Sequence, residues 1–200
     1  MRIAVLGASG RTGRRVVEVA LSRGHDVSVL VRKPTLSEGN VQVFVGDAKD
    51  PTAVARAIRG CAAVISCLGM RSRSEAVLRE AAKAMVAAME RESLERCVVV
   101  SQGLLFPTSN PIVLLLRWLL SAHVADSCGM EAVVAATRLD WTVARAPRLS
   151  DQDAARGYVV ADERRPDGPA SMRRVDLAAF LMDAVEQHAH VRRIVGITSR

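Results

Sequence analysis

The sequence predicts an α/β fold in which helices cover both faces of a parallel sheet. Strand-like and helix-like stretches alternate along the 200 residues without an internal repeat or a long linker. Several strand-like stretches are almost wholly apolar, which is typical of parallel strands buried on both sides. Regular alternation of this kind indicates an open sheet with right-handed crossovers, in one domain over residues 1–200.

The start of the chain carries the first functional signal. An apolar run at 3–6 is followed by glycines at 7, 10 and 13 and then by an amphipathic segment. Strand, glycine turn and helix in this order predict a dinucleotide-binding opening, although the spacing is Gly-x-x-Gly-x-x-Gly. Gly7 allows the tight turn, Gly10 lets the backbone approach a pyrophosphate, and Gly13 lets the helix pack closely. An ordinary glycine turn is the alternative.

The remaining elements follow from apolar periodicity, capping residues and turn residues. Strands are predicted at 2–6, 26–31, 41–45, 62–68, 97–101, 141–144, 158–161 and 194–198. Helices are predicted at 11–23, 51–59, 75–91, 112–137 and 175–187, the fourth with a break near 128–129. Ligands of such sheets bind beyond the carboxyl ends of the strands. We therefore expect a cofactor-binding half at 1–103 and a substrate-side half at 104–200.

Composition narrows the function classes. Apolar residues make up 50% of the chain and charged residues 24%, as in globular proteins. No run approaches the roughly 20 apolar residues that span a bilayer, and the first residues do not read as a signal peptide. We therefore expect a cytoplasmic location and no membrane partner. The apolar run at 112–120 is expected in the core, with a pocket wall or a subunit interface as alternatives.

The charge distribution and the cysteine spacing favour a small phosphorylated ligand over a nucleic acid or a metal ion. The net charge of +7 comes from scattered arginines, and aromatic residues are only 3% of the chain, which argues against a nucleic-acid partner. Positive charge still attracts a phosphorylated cofactor. The four cysteines lack a Cys-x-x-Cys spacing, so we expect buried free thiols and no metal site. The oligomeric state stays open between monomer and homodimer.

Basic residues near the first two strand ends indicate the cofactor. Arg32 follows the second strand, where an arginine accommodates the 2′-phosphate of NADP and an acidic residue favours NAD. A guanidinium matches phosphate oxygens through a planar fork. Arg11 and Arg14 add positive charge nearby. These residues predict NADP(H), with a solvated basic turn as the alternative at Arg32.

Later strand ends extend the predicted cofactor site. Asp47, followed by Ala48, comes after the third strand and is a candidate acceptor for the adenine amino group or a turn residue. Gly69 leaves space for the ribose and pyrophosphate, and Arg71 is a candidate phosphate partner. The nicotinamide end is expected at Ser101 and Gln102.

These stretches resemble the atypical short-chain dehydrogenase/reductase group, an NAD(P)H-binding family, and within it the biliverdin reductase B or flavin reductase branch. The similar segments are 5–13, 29–32, 45–47, 68–71, 140–147 and 174–178. The resemblance implies a Rossmann-like, doubly wound parallel sheet. It also implies NADP bound at Gly7, Ser9, Gly10, Arg11, Thr12, Gly13, Arg32, Asp47, Leu68, Gly69 and Arg71.

The departures from that group concern catalysis. Short-chain dehydrogenases use a Tyr-x-x-x-Lys pair, but Tyr158 is the one tyrosine here and no lysine follows it. Gln102 stands where the flavin reductase branch has a serine, and Arg148 stands where it has a histidine. Ser101, Gln102 and Arg148 remain the catalytic candidates, as hydrogen-bonding groups or as a positive charge for the acceptor. Structural roles are the alternative for each.

The residues together predict an NADPH-dependent oxidoreductase that transfers hydride to a small planar acceptor, flavin- or quinone-like. Such acceptors take a proton from water, so the missing tyrosine and lysine do not exclude catalysis. The alternative is a non-catalytic NADP(H)-binding redox sensor or regulator on the same fold.

Overall fold

The computed structural model describes residues 1–33, 40–69, 77–152 and 154–200. The strands within these ranges are β1 Arg2–Leu6, β2 Asp26–Val31, β3 Val41–Val45, β4 Ala63–Ser66, β5 Arg96–Gln102, β6 Asp140–Ala146, β7 Arg148–Ser150, β8 Tyr158–Asp162, β9 Ser171–Arg173 and β10 Arg193–Ser199. The helices are α1 Arg11–Ser22, α2 Pro51–Ile58, α3 Val77–Arg91, α4 Pro111–Leu119, α5 Ser121–Ala135 and α6 Arg174–Glu186.

Eight of the ten described strands form one sheet in the order β3-β2-β1-β4-β5-β6-β10-β8. All neighbours in it are parallel except β8, which pairs antiparallel with β10. The order reverses between β1 and β4, and this reversal creates the crevice in which doubly wound proteins bind ligands. The predicted Rossmann-like fold is confirmed.

Helices cover both faces of the sheet and enclose two apolar cores. Helices α1 and α6 pack together on one face, and α2, α3 and α5 pack side by side on the other. The first core contains Ile3, Val16 and Phe180, and the second contains Leu6, Ile58 and Met85, all nearly or fully buried. Alternate residues of β1 therefore enter opposite cores, as expected of a central parallel strand.

Local hydrogen bonds explain where several helices begin. The Asp50 carboxylate accepts the N–H of Thr52, and Pro51 occupies the first helical position of α2. Asn110 and Pro111 repeat this arrangement at the start of α4. The first turn of α3 is capped by a residue that is distant in sequence. The buried Asp126 carboxylate of α5 accepts the N–H groups of Leu78 and Arg79, both at 2.9 Å.

The predicted helix at 112–137 is wrong in the position of its break. The chain turns by 87° at Leu120, between α4 and α5, and runs unbroken through Gly129. Gly129 serves packing instead, since a Cβ there would lie 2.8 Å from the Arg79 side chain. No single described helix is long and apolar enough to cross a bilayer, although α4 and α5 together meet that test by length and composition.

Two further predictions need correction. The apolar run at 112–120 does not pack in the core, because α4 has no buried residue. Of the four thiols only Cys97 is buried, while Cys61 and Cys67 are half-buried and Cys128 is exposed. The polar stretch after β6 also contains a small parallel ladder between β7 and β9 that the sequence did not reveal.

Candidate functional site

The glycine turn, residues 7–13, is shaped by two contacts that a side chain would block. Gly7 has a φ of +80°, and a Cβ on it would lie 2.8 Å from the carbonyl oxygen of Cys67 in the neighbouring strand end. A Cβ on Gly13 would lie 2.2 Å from the carbonyl oxygen of Gly7. The turn therefore lies directly against β4 and against the first turn of α1. Tight turn geometry at the first glycine and close helix packing at the third are the roles these positions have in dinucleotide-binding turns.

The amino end of α1 is open to an anion. Its cap residue is Gly10, which has no side chain to accept the first helical N–H groups. By contrast, Asp50 and Asn110 cap α2 and α4 with their side-chain oxygens. Because the α1 N–H groups carry partial positive charge and lack this acceptor, the glycine turn fits a phosphate group.

The other predicted cofactor residues lie in the first turn of α1 or just beyond the ends of adjacent strands. Ser9, Arg14, Arg32 and Gly69 are exposed, whereas Thr12 is half-buried. Ala48 and Leu68 are half-buried against the second core. Arg71 lies outside the described residues. The sheet order places these strand ends side by side, from β3 through β2 and β1 to β4.

Asp47 forms a turn in this structure. Its Oδ1 accepts the N–H of Lys49 at 2.9 Å, which is the turn geometry that short acidic side chains favour. The side chain is exposed, so the second carboxylate oxygen is open to solvent. Its contact with adenine stays a prediction.

Arg11 links the glycine turn to the second half of the chain. Its guanidinium donates to Asp151 Oδ2 at 2.7 Å, and both side chains are more than half exposed. An exposed pair of this kind contributes at most about 1 kcal/mol, so Arg11 can exchange the carboxylate for a phosphate. Asp151 has a second partner, because the buried Arg174 donates to its other oxygen at 2.5 Å.

A pocket of about 410 Å³ opens beyond the carboxyl ends of β5, β6 and β10. Apolar side chains of Leu104, Phe106, Val113 and Ile197 form much of its wall. The described polar lining residues include Gln102, Thr198 and three arginines, Arg145, Arg148 and Arg165, but no carboxylate. Strand spacing of about 4.8 Å places the end of β5 about 10 Å from the end of β1. The pocket and the glycine turn therefore share one edge of the sheet.

Three side chains beneath the pocket form a buried cluster, Ser101, Glu131 and Arg145. The Arg145 guanidinium donates to both carboxylate oxygens of Glu131, at 3.0 Å and 2.6 Å. The Ser101 hydroxyl donates to the same carboxylate at 2.5 Å. Ser101 and Arg145 are direct neighbours in the ladder between β5 and β6, which explains why both reach Glu131 on α5. Arg145 also lies 4.9 Å from the centre of the Phe106 ring.

The three catalytic candidates are placed differently. Gln102 lines the pocket, and its amide donates to the His123 carbonyl at 3.1 Å and to the Ser127 hydroxyl at 2.8 Å. Arg148 lines the pocket and is exposed. Ser101 is buried, and its hydroxyl is engaged by Glu131 rather than by the pocket. The structure thus brings Gln102 and Arg148 together, with Ser101 one layer below them.

Sequence reasoning missed Glu131, Arg145 and Arg165. Arg145 carried a usable signal, since it is the one charged residue of the strand at 141–146 and a buried charge needs a partner. Glu131 carried a weaker signal, as the only charged residue from 127 to 137. Arg165 lies in a polar loop and carried none. Its side chain and that of Arg148 make no hydrogen bond or ion pair with described residues.

Two titratable groups near the site are poorly suited to proton transfer at neutral pH. Burial raises the pKa of the Cys67 thiol to about 12, so this sulfur stays protonated. Burial and the neighbouring Asp183 carboxylate raise the pKa of Tyr158 to about 12 as well. Tyr158 donates to Asp183 Oδ2 at 2.5 Å and contacts Phe180, and does not line the pocket. The described residues contain no cluster of His, Cys, Asp or Glu that could hold a metal ion.

Comparison with known proteins decides the family. A profile of the NAD(P)H-binding family matches residues 7–188 of the chain, from the glycine turn through α6. The chain belongs to this NAD(P)H-binding family. It spans only 12% of the length of three mycobacterial proteins that it matches at 34% identity over 104 residues. It is 29% identical to the oxidoreductase stcQ of Emericella nidulans, over 96% of this chain and 80% of that protein.

Solved structures with the same fold cover nearly the whole chain. A short-chain dehydrogenase/reductase from Veillonella parvula in complex with NADP has a TM-score of 0.79 at 21% identity, over 99% of this chain and 94% of that chain. SP1627 of Streptococcus pneumoniae, provisionally assigned as an NADH-flavin reductase, has a TM-score of 0.81 at 20% identity over the whole of both chains. At these identities the likeness shows the fold.

Proposed function

We propose that the protein is an NADPH-dependent oxidoreductase that transfers hydride to a small planar acceptor, flavin- or quinone-like. The observation that carries this proposal is the shared edge of the sheet. The glycine turn and the 410 Å³ pocket both open there, two strands apart. A dinucleotide extended from the glycine turn along this edge directs its nicotinamide end towards the pocket.

The glycine turn supports NADP(H) by geometry and by charge. Side chains at Gly7 and Gly13 would collide with the backbone of Cys67 and of Gly7, and so would deform the cradle that a pyrophosphate needs. Arg32, at the end of β2, is exposed and lies where a 2′-phosphate on the adenosine ribose is bound in this fold. The chain's preference for NADP(H) over NAD(H) therefore depends on Arg32, with Arg11 and Arg14 adding positive charge.

NADPH, when bound, would supply a hydride, which carries the two electrons that reduce the acceptor. The apolar pocket wall packs against a planar ring and excludes water from it. Arg148 places a positive charge beside the acceptor, where it stabilises the negative charge that the acceptor gains. Gln102 offers an amide oxygen for orientation, since its amide nitrogen is held by α5. The proton that completes the reduction comes from water.

A panel of flavins and quinones with NADPH tests the proposal through the absorbance of the reduced nicotinamide. We expect turnover, with kcat/KM lowered about tenfold or more by Arg148→Ala and restored in part by Arg148→Lys. Arg138→Ala is the matched control, because Arg138 is exposed and precedes β6 at the opposite edge of the sheet. Unchanged turnover in Arg148→Ala would remove Arg148 from the mechanism.

Cofactor preference is tested separately by titration. Loss of a charged hydrogen bond to a 2′-phosphate costs about 1.5–3 kcal/mol, so Arg32→Ser is expected to weaken NADPH binding by about tenfold to a hundredfold. NADH binding should change little. Arg56→Ser, another exposed arginine, serves as the control. Equal affinities of the unaltered protein for NADPH and NADH would refute the preference.

A second function, a non-catalytic NADP(H)-binding sensor, is favoured by one observation. The Ser101 and Tyr158 hydroxyls each donate a hydrogen bond to a carboxylate, so neither is poised to protonate a substrate. Tight NADPH binding without turnover on the whole panel would support the sensor and exclude the reductase.

A further inference from the structure

The exposed apolar helix α4 is a feature that the proposed function does not use. Six of its large apolar side chains are each 41–73% exposed, namely Ile112, Leu114, Leu115, Leu116, Trp118 and Leu119. Contiguous apolar surface of this kind on a protein marks an interaction site.

The exposed side chains form a wide arc because only one narrow face of α4 meets the body of the protein. Val113, Arg117 and Leu120 are half-buried, at the spacing of one helix face. The Arg117 guanidinium fixes this face by donating to the carbonyl oxygens of Leu104, at 2.5 Å, and of Phe106. At about 100° per residue, the six exposed side chains cover about 200° of the helix circumference. We call this surface the α4 arc.

The width of the α4 arc argues for a lipid surface. A packed partner helix covers a stripe of about 100°, which would leave half of the arc in water. A membrane interface instead surrounds a half-submerged helix on all exposed sides. Trp118 is the most exposed member, at 73%, and tryptophan is enriched where membrane and water meet. We propose that the α4 arc docks the protein on an anionic phospholipid bilayer.

Charge complementarity supports an anionic surface in particular. The chain has 28 basic and 21 acidic residues, and basic residues near an anionic leaflet each strengthen binding. Arg148 and Arg165, which have no described ion-pair partner, line the pocket together with Val113 and Leu116 of α4. Two cations that have no ion-pair partner among the described residues therefore lie close to the helix that enters the lipid.

Docking uses one leaflet and does not require a spanning segment. Helix α5 cannot follow α4 into the lipid, because Asp126 caps α3 and Glu131 pairs with Arg145. The expectation of no membrane partner rested on the absence of a spanning run. An interfacial helix lies in the plane of one leaflet with its apolar face buried at the headgroup boundary, and α4 offers such a face.

Docking also indicates where the acceptor comes from, a step that rests on the proposed reductase function. Val113 and Leu116 belong to α4 and also line the pocket. A docked α4 would open the pocket towards the lipid, so the acceptor class is an apolar, membrane-dissolved quinone.

Vesicle flotation with the full chain tests the docking. We expect binding to vesicles of phosphatidylcholine mixed with phosphatidylglycerol, and weaker binding to phosphatidylcholine alone. Introducing two charges by Leu115→Glu with Trp118→Glu should weaken binding about tenfold or more. Ala87→Glu with Ala132→Glu is the control, since both alanines are exposed on other helices. If the charged variant fails to fold, Ile112→Ser with Leu119→Ser replaces it, and thermal melting checks each protein.

Tryptophan emission gives an independent readout. Trp118 is exposed and Trp141 is only 8% exposed, so a blue shift on vesicle addition reports on α4. Trp118→Phe should abolish most of the shift and keep flotation. Absence of flotation and of a shift with either vesicle would overturn the proposal. A stable dimer that Leu115→Glu with Trp118→Glu converts to a monomer would also overturn it, by assigning the arc to a second copy.

Kinetics separates docking from the proposed function. With a long-tailed quinone in anionic vesicles, the charged variant should raise KM severalfold while kcat/KM for a water-soluble short-chain quinone stays within about twofold. Flotation without NADPH oxidation by any acceptor would leave docking intact and refute the reductase. Equal KM values in the variant and the unaltered chain would refute delivery from the lipid.

Discussion

The glycine turn and the buried cluster lie at the same edge of the sheet, yet the turn depends on the absence of side chains and the cluster on charged and polar side chains. The turn works because Gly7 and Gly13 have no side chains, which lets backbone approach backbone. The cluster works because Ser101, Glu131 and Arg145 satisfy one another's charges and hydrogen bonds. The glycines of the turn lie within seven residues of the sequence, whereas the cluster joins side chains from three elements that are distant in sequence. The fit of a pyrophosphate to the turn therefore depends on shape, and the floor of the pocket depends on paired charge.

The largest effect is expected from breaking the buried cluster. In Glu131→Ala the Arg145 guanidinium, whose side chain is 15% exposed, loses its counter-charge. Removing one partner of a buried pair costs about 3–5 kcal/mol, and urea unfolding measures the loss. Glu90→Ala, at an exposed position of α3, is the control and should change stability by less than about 0.5 kcal/mol.

A double substitution sharpens this prediction. Glu131→Met with Arg145→Met removes both charges, so it should be more stable than Glu131→Ala alone. If the double variant is less stable than the single one, the cluster is not held by charge pairing.

The glycine turn should respond to added volume rather than to lost charge. In Gly13→Ala the new Cβ would lie 2.2 Å from the Gly7 carbonyl oxygen, so α1 must shift away from the turn. Forced repacking of this kind costs about 1–3 kcal/mol, and we expect NADPH affinity to fall at least tenfold because the cradle deforms. Calorimetric titration and thermal melting measure the two effects.

Gly69→Ala adds the same Cβ at another glycine of the predicted cofactor site, where it meets no described neighbour. A Cβ at Gly69 meets no described atom within 4 Å, so stability should stay within about 0.5 kcal/mol. Equal destabilisation by Gly13→Ala and Gly69→Ala would show that contact with Gly7 is not the cause.

The contrast also explains what the sequence predicted. The strand positions and the α1 start could be predicted because glycine spacing and apolar runs are local patterns. The cluster could not, since Ser101 and Glu131 are 30 residues apart and meet only through the packing of α5 on β5. The exposed α4 was predicted as core because composition does not show which apolar helix the sheet has room to cover. Asp47 illustrates a residue whose turn role the sequence left open and the structure describes.

The smallest effect is expected at Tyr158, which belongs to neither region. Its hydroxyl donates to Asp183, and burial together with that carboxylate raises its pKa to about 12. A tyrosine in the unfolded chain ionises near pH 10, so the folded state holds the proton more tightly. Stability from this contact is therefore complete below about pH 10 and is lost as the pH rises to about 12.

Tyr158→Phe should lower the unfolding free energy by about 1 kcal/mol at neutral pH. It should also remove the part of the stability loss at high pH that comes from ionisation of Tyr158. Because Tyr158 is the chain's one tyrosine, the absorbance of tyrosinate reports its ionisation directly. NADPH oxidation should not change, since the side chain does not line the pocket. A tyrosinate transition near pH 10 would refute the hydrogen bond, whereas lost turnover would assign Tyr158 a part in the chemistry that its position argues against.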